Sequence, residues 1–261
     1  MEILHLRNAT IKLNYGGLTF LIDPYFAELH SEPSMGGKSK NPTSALPIQI
    51  SKIIHHVDFV IISHLHPDHF DRLAQQKIPK DQAIICQPGD QKSIQSMGFT
   101  QVIPMQEKMI LGKTSIYQTS GAHGFGKMAE IMGPVSGLVF QNETEFTLYW
   151  LGDTVFGEEV KNQINRFDPQ LLICHAGGNK FFKTFDFLGL GLKEDTSPLI
   201  MDSKQLEELI RFAPKCKIIA THLNALDHET ESKESLERML AENGFPADRI
   251  YIPQNGERLH F

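Results

Sequence analysis

Four apolar residues, Phe59-Val60-Ile61-Ile62, run directly into Ser63-His64-Leu65-His66-Pro67-Asp68-His69. The first group is rich in β-branched side chains and predicts a buried strand. The second packs three imidazoles and a carboxylate into the six positions 64–69. In extended backbone, residues two apart point the same way, so His64 and His66 converge on one point. Pro67 stops the strand, and Asp68 stands where a helix reaching about Gln76 would begin, so Asp68 and His69 aim elsewhere. Two aims suit two metal ions better than one. A lone histidine here would be a surface residue and a lone Asp a helix cap. Together, at the end of a buried strand, they are hard to account for as solvated side chains. Mixed imidazole and carboxylate donors suit zinc, manganese or iron.

The flanking chain alternates strand and helix patterns. Residues 2–6, 9–15 and 18–23 predict strands, with Tyr15-Gly16-Gly17 supplying a tight hairpin between the last two. Ile48 to His56 predicts a short helix, with His55 and His56 as cations at its C-terminus rather than ligands. Strand, helix and strand across residues 83–105 indicate α/β layers. Further strands are expected at Ser115–Thr119, Ser136–Phe140, Phe146–Leu151, Leu171–Cys174 and Lys217–Ala220. Amphipathic helices are expected at Ser203–Phe212, capped by Ser203, and over about Ser232–Asn243. Ala27 to Pro47 carries Pro33, Gly36, Gly37, Pro42 and Pro47 and shows no period. A loop of that length is functional or mobile, with a plain disordered excursion as the alternative. Phe181, Phe182, Phe185 and Phe187 are expected to pack in the core rather than line a pocket.

Several strands run straight into chemistry-bearing residues: Asp23-Pro24, His123 among glycines, Gly152-Asp153-Thr154, His175 and His222. Taken alone, the two acids also read as turn residues. The Ser63–His69 pattern resembles the signature of the metallo-β-lactamase superfamily. That resemblance implies that His64, His66 and His123 hold one ion, that Asp68, His69 and His222 hold another, and that Asp153 bridges them. Asp23-Pro24 resembles an early element near such a site. His175 and His228 lie outside the implied ligand set and are candidates for substrate contact, with positioning roles as alternatives. The implied fold is α/β, a four-layer αβ/βα sandwich spanning residues 1–261 as one domain. The implied chemistry needs two divalent ions, zinc or manganese, with iron also compatible. A bridging hydroxide would attack, and Asp68 would act as the catalytic residue that orients it or carries a proton. His66, in place of the glutamate of an HxExD pattern, points to hydrolysis rather than di-iron electron transfer. The layout resembles the branch containing L-ascorbate-6-phosphate lactonase, which implies an ester, lactone or phosphoester of a small molecule.

Composition narrows the partners. A net charge of −6 argues against general affinity for nucleic acid or anionic membrane. A nucleic-acid phosphodiesterase of the same fold is therefore the weaker alternative, beside a non-enzymatic metal-binding or ligand-sensing module. The expected partner is a small-molecule substrate, and a homo-oligomer is compatible with the sequence. Cys86, Cys174 and Cys216 lie far apart without CxxC spacing and read as reduced thiols in strands. The N-terminal stretch lacks an h-region and no apolar run reaches a membrane span, so a cytoplasmic enzyme is expected.

Overall fold

The computed structural model describes residues 1–246 and 248–261. The chain opens with an antiparallel meander of β1 (Glu2–Arg7), β2 (Thr10–Tyr15) and β3 (Leu18–Ile22). Three parallel strands follow, β4 (Phe59–Ile62), β5 (Ile84–Cys86) and β6 (Val102–Pro104). A second sheet repeats this plan. β7 (Lys108–Leu111), β8 (Thr114–Ser120), β9 (Ser136–Gln141) and β10 (Leu148–Trp150) pair antiparallel. β11 (Leu171–His175), β12 (Lys217–Thr221) and β13 (Ile250–Tyr251) then add in parallel. β14 (Arg258–His260) returns to close the edge of the first sheet against β1, giving two sheets of seven strands among the described residues.

Alternation along these strands sorts the side chains into layers. Ile11, Leu13, Phe20, Ile22 and Ile61 face Leu138, Phe140, Leu148, Trp150 and Ile173 in one core between the sheets. Their neighbours Leu21, Val60, Ile62 and Ile84 turn outward, onto helices α1 (Ile50–Ile54), α2 (Arg72–Lys77) and α3 (Gln91–Ser96). The short helix α4 (Lys127–Met132) buries no residue and lies apart from this packing. Tyr149, Leu172 and Ile218 turn outward on the other side, onto α5 (Glu158–Phe167), α6 (Ser203–Phe212) and α7 (Lys233–Glu242). Each fully buried aliphatic or Phe side chain contributes about 1.5–3 kcal/mol. The result is the expected αβ/βα sandwich of four layers.

Three local readings are corrected. α2 starts at Arg72, not Asp68: Asp71 is its cap and accepts from Leu73 N and Ala74 N. Both acids precede the same apolar run, but Asp68 is drawn away by contacts far along the chain, described below. α6 is capped by Asp202, which accepts from Gln205 N, so Ser203 is its first residue instead. The Phe-rich stretch is divided: Phe181 is buried, whereas Phe185 and Phe187 are 39% and 40% exposed. The loop over residues 27–47 is neither open nor unstructured. Asp227 binds it through Ser34 Oγ (2.5 Å), Met35 N (2.9 Å), Gly36 N (3.0 Å), Lys38 N (3.0 Å) and Asn41 Nδ2 (3.1 Å). Among the described residues, no helix is long and apolar enough to cross a membrane.

Candidate metal centre

β1, β3 and β4 run in one direction within the first sheet, as do β8, β10, β11 and β12 within the second, and the segments after these strands meet along one rim. Chain segments at that rim carry Asn8, Asp23, His64 to His69, His123, Asp153, His175 and His222. The structure gathers His64, His66 and His123 into one group of donors and Asp68, His69 and His222 into another. Asp153 lies between them. Its Oδ2 is 3.2 Å from His69 Nε2, 3.4 Å from His123 Nε2 and 4.0 Å from His64 Nε2. Its Oδ1 is 3.9 Å from His222 Nε2. Gly152 makes this placement possible: its φ is +72°, and a Cβ there would sit 2.6 Å from the Ser136 carbonyl oxygen.

Four of the imidazoles are oriented through their other nitrogen. His64 Nδ1 lies 2.9 Å from Ser63 Oγ, which donates to Asp23 Oδ2 at 2.7 Å. His69 Nδ1 reaches the same Asp23 oxygen at 2.7 Å. His66 Nε2 meets the Met132 carbonyl at 3.0 Å, and His123 Nδ1 the Leu199 carbonyl at 2.9 Å. Asn8 Nδ2 donates to Asp68 Oδ2 at 3.1 Å, while the Asn8 carbonyl receives His222 N–H at 3.0 Å. Asn8, Asp23 and His222 have φ of +55°, +47° and +61°, a region few residues other than glycine adopt. Strain of this kind collects at functional sites. His64 Nε2 and His69 Nε2 are buried with no hydrogen-bond partner. An orphaned buried polar atom costs about 1–3 kcal/mol, and a cation accepting its lone pair removes the cost. The donor set therefore fits metal ions, with further donors than one ion requires.

Electrostatics divides the cluster. Burial pushes His64 and His66 below the ordinary histidine value and His123 down to about 4, so all three are held neutral. Burial also acts on His69 and His222, but Asp153 and Asp68 outweigh it and raise both. Conversely, burial would raise Asp68 and Asp153, yet His69 and His222 hold both carboxyls well below the usual range.

Of the two histidines expected at the substrate, only His228 lines the cavity over the cluster. His175 has no exposed surface, and its Nδ1 lies 2.5 Å from Asp153 Oδ1. It supports Asp153 from behind and is out of reach of a substrate. The parity of β11 carries that signal, since His175 shares a face with Leu171 and Ile173 of the inter-sheet core. Asn8, Ser63 and Glu229 were missed. Glu229 lies 3.9 Å from His222 Nδ1, and burial pushes its carboxyl up to about 8. The cavity has a volume of about 170 Å³, and Met35, Ile131, Phe181, Phe187 and Leu199 supply its apolar walls. Larger hollows lie beside His5 and Lys233 and beside Leu29 and Ile50, and neither is lined by a residue of the cluster.

The model of the beta-lactamase superfamily domain matches residues 19–222. UPF0173 protein YddR of Bacillus subtilis (strain 168) is 33% identical over 267 residues, covering 100% of both chains. A possible metal-dependent hydrolase from Veillonella parvula DSM 2008 is 29% identical, with a TM-score of 0.90 over 99% of this chain and 98% of that one. An isothiocyanate hydrolase from Delia radicum gut bacteria is 30% identical, with a TM-score of 0.90 over 100% of this chain and 99% of that one.

Proposed function

The chain belongs to the beta-lactamase superfamily, and from that premise we propose a metal-dependent hydrolase for small, uncharged carbon electrophiles: esters, lactones or isothiocyanates. One observation carries the choice of substrate. The cavity above the cluster is small and mostly apolar, and no Lys or Arg is among its lining residues. Beyond the ions themselves, a phosphoryl group is ordinarily held by Arg, Lys or backbone N–H clusters, so a cavity without a lining cation favours an uncharged substrate over a phosphoester. That weighs against the phosphorylated substrate implied by likeness to the lactonase branch, and against nucleic acid. Its volume of about 170 Å³ also falls below the ~300 Å³ at which pockets for drug-sized ligands begin. The relative from Delia radicum gut bacteria, alike over its whole length, acts on isothiocyanates by its name; the same substrate class fits here.

Divalent ions held by the two donor groups would supply Lewis-acid polarisation and hydroxide at neutral pH. His64, His66 and His123 would hold one, Asp68, His69 and His222 the other, with Asp153 shared. Ile131 and Phe187 at the mouth exclude water beside the reacting carbon. Asp68 Oδ2 accepts from Asn8 Nδ2, which would leave Oδ1 to take a proton from the nucleophile and pass it to the leaving group. The test is turnover of p-nitrophenyl acetate, γ-butyrolactone, allyl isothiocyanate and bis-p-nitrophenyl phosphate by protein loaded with zinc or manganese. At least one carbon electrophile should exceed the phosphodiester by about 100-fold or more in kcat/KM. Preference for the phosphodiester, or no turnover of any member, overturns the reading.

A further inference from the structure

Four of the five imidazoles in the two donor groups have a partner outside those groups at one ring nitrogen: His64 at Ser63, His66 at Met132, His69 at Asp23 and His123 at Leu199. His222 is the fifth. Its Nε2 faces Asp68 Oδ2 at 3.2 Å, inside its own group, and its Nδ1 is buried with no hydrogen-bond partner. Glu229 Oε1 stands 3.9 Å from that Nδ1, and among the described residues no other carboxylate comes within 4.0 Å of it. The turn after β12 brings Glu229 there. Glu229 Oε2 accepts the Ala225 N–H at 3.1 Å and Glu229 N–H donates to the Leu226 carbonyl at 3.4 Å, so the chain folds back on itself. Thr230 N–H and Glu231 N–H both donate to the Gly177 carbonyl, at 2.9 and 3.0 Å, which pins the turn to the end of β11. Gly177 leaves the room, since a Cβ there would run into the His222 carbonyl and stand 3.2 Å from Glu229 Cγ. The Glu229 side chain is 5% exposed.

A neutral imidazole has one proton and one lone pair on its two nitrogens. An ion held at His222 Nε2 takes the lone pair there, so the proton sits on Nδ1 and needs an acceptor. At the other four rings the partner just named supplies one. Bulk water cannot serve at His222, because Nδ1 is buried. A buried donor left without an acceptor is unfavourable, and that cost would fall on the ion that puts the proton there. The Glu229 carboxyl is the acceptor at hand. Closing the 3.9 Å gap to the roughly 2.8 Å of a charge-assisted N–H···O bond takes a shift of about 1 Å.

We propose that Glu229 is the positioning residue of His222: it accepts the Nδ1 proton and thereby aims Nε2 at the ion held with Asp68 and His69. Among the described residues Glu229 makes no ion pair with His64, His66 or His123, so its effect falls on the second donor group alone. The inference rests on the reading that Asp68, His69 and His222 hold a metal ion. Its test is binding and ring protonation rather than turnover, which separates its failure from failure of the hydrolase reading.

The measurements are zinc affinity by competition with a chelator and proton–nitrogen correlation of the histidine rings in zinc-loaded protein. The variants are Glu229→Leu, which removes the acceptor, and Glu229→Gln, which keeps an oxygen for Nδ1 and for the Ala225 N–H. In Glu229→Leu the affinity of the second group should fall about 10–100-fold while that of the first holds. Glu229→Gln should recover most of that loss and displace the His222 Nδ1 proton signal, because carboxylate and amide oxygens accept unequally. A residue that merely supported the turn would leave that signal where it was. Equal second-group affinity in wild type and Glu229→Leu overturns the proposal, as do equal losses from both groups. A His222 signal unmoved in Glu229→Gln overturns it too, whether or not the leucine variant folds. Wild-type protein that takes zinc at the first group alone overturns the proposal together with the two-ion reading. All the expected shifts without hydrolysis of any ester, lactone or isothiocyanate would uphold the proposal and overturn the hydrolase reading alone.

Discussion

His64, His66 and His123 meet as neutral imidazoles, whereas Asp68, His69 and His222 meet among carboxylates. The first group is oriented by a hydroxyl and two backbone carbonyls, from Ser63, Met132 and Leu199. Its rings carry no proton that an arriving cation must displace, beyond the one each keeps for that partner. The second group is held by Asp23, Asp68 and Asp153 and by backbone in the left-handed region at Asn8, Asp23 and His222. There the carboxylates favour protonated His69 and His222, so a cation has to replace protons. Similar side chains thus give one half prepared for metal and one half that exchanges charge for it.

Asp153 is the residue through which this contrast is most sharply broken, since its carboxylate touches both halves. Asp153→Ala should lower turnover by more than about a thousandfold and remove metal from both. Elemental analysis beside kcat measures it, and unchanged turnover would end the two-ion account. Acidification should separate the halves next. His69 and His222 are raised, so protons compete with the ion there at higher pH than in the first half, and the second half should lose its ion first. His64, His66 and His123 are lowered and stay free for metal further into acid. Without metal the signs differ. The raised pair stabilises the fold below the ordinary histidine range, and that contribution is lost as pH rises through the raised values. The lowered trio destabilises as pH falls below the ordinary range, because the unfolded chain then binds more protons. Metal stoichiometry across a pH series decides; simultaneous loss of both ions would remove the distinction.

Asp23→Asn should have a smaller and uneven effect. One Asp23 oxygen takes His69 Nδ1 directly and His64 only through Ser63. An amide oxygen can replace part of this, so metal affinity should fall about 10–100-fold in the second half and less in the first. Competition with a chelator would measure both steps. Equal losses would mean that Asp23 supports the cluster as a unit.

What could be read from sequence follows from how local the cause is. The buried strand before His64, the strand ends before Asp153 and His222, and the alternation that builds four layers are all written within a few residues. Asn8 was illegible because its role depends on Asp68, 60 positions away, and on a hairpin tip folding over the rim. Asp68 and Asp71 are interchangeable as caps on paper; contacts from Asn8 and His222 claim one and leave the other for α2. His175 could have been placed by counting along β11, but that requires knowing which face of the strand meets the opposite sheet. The loop over residues 27–47 carried no period because its order comes from distant groups, Asp227 above all, with Arg7 on the Ala27 and Ser44 carbonyls.

That carboxylate, Asp227, supplies the mildest way to sharpen the contrast, because it organises the cavity wall and not the cluster. It gathers Ser34, Met35, Gly36, Lys38, Ser39 and Asn41, and Met35 in turn lines the cavity. Burial would raise its pKa, but the Ser34 hydroxyl and the backbone N–H groups outweigh that and hold it below the usual carboxylate range. A depressed carboxylate contributes stability that is full above the unfolded value and lost as pH falls through the folded one. The wall should therefore stay pinned through mild acid, beyond the point at which the second half of the cluster has given up its ion. Asp227→Asn should lower unfolding free energy by on the order of 1–2 kcal/mol and raise KM with metal content intact. Denaturant midpoints and metal analysis on the same samples check this. If metal were lost as well, the wall would be a third support of the cluster, and the contrast between two halves would have to be redrawn around it.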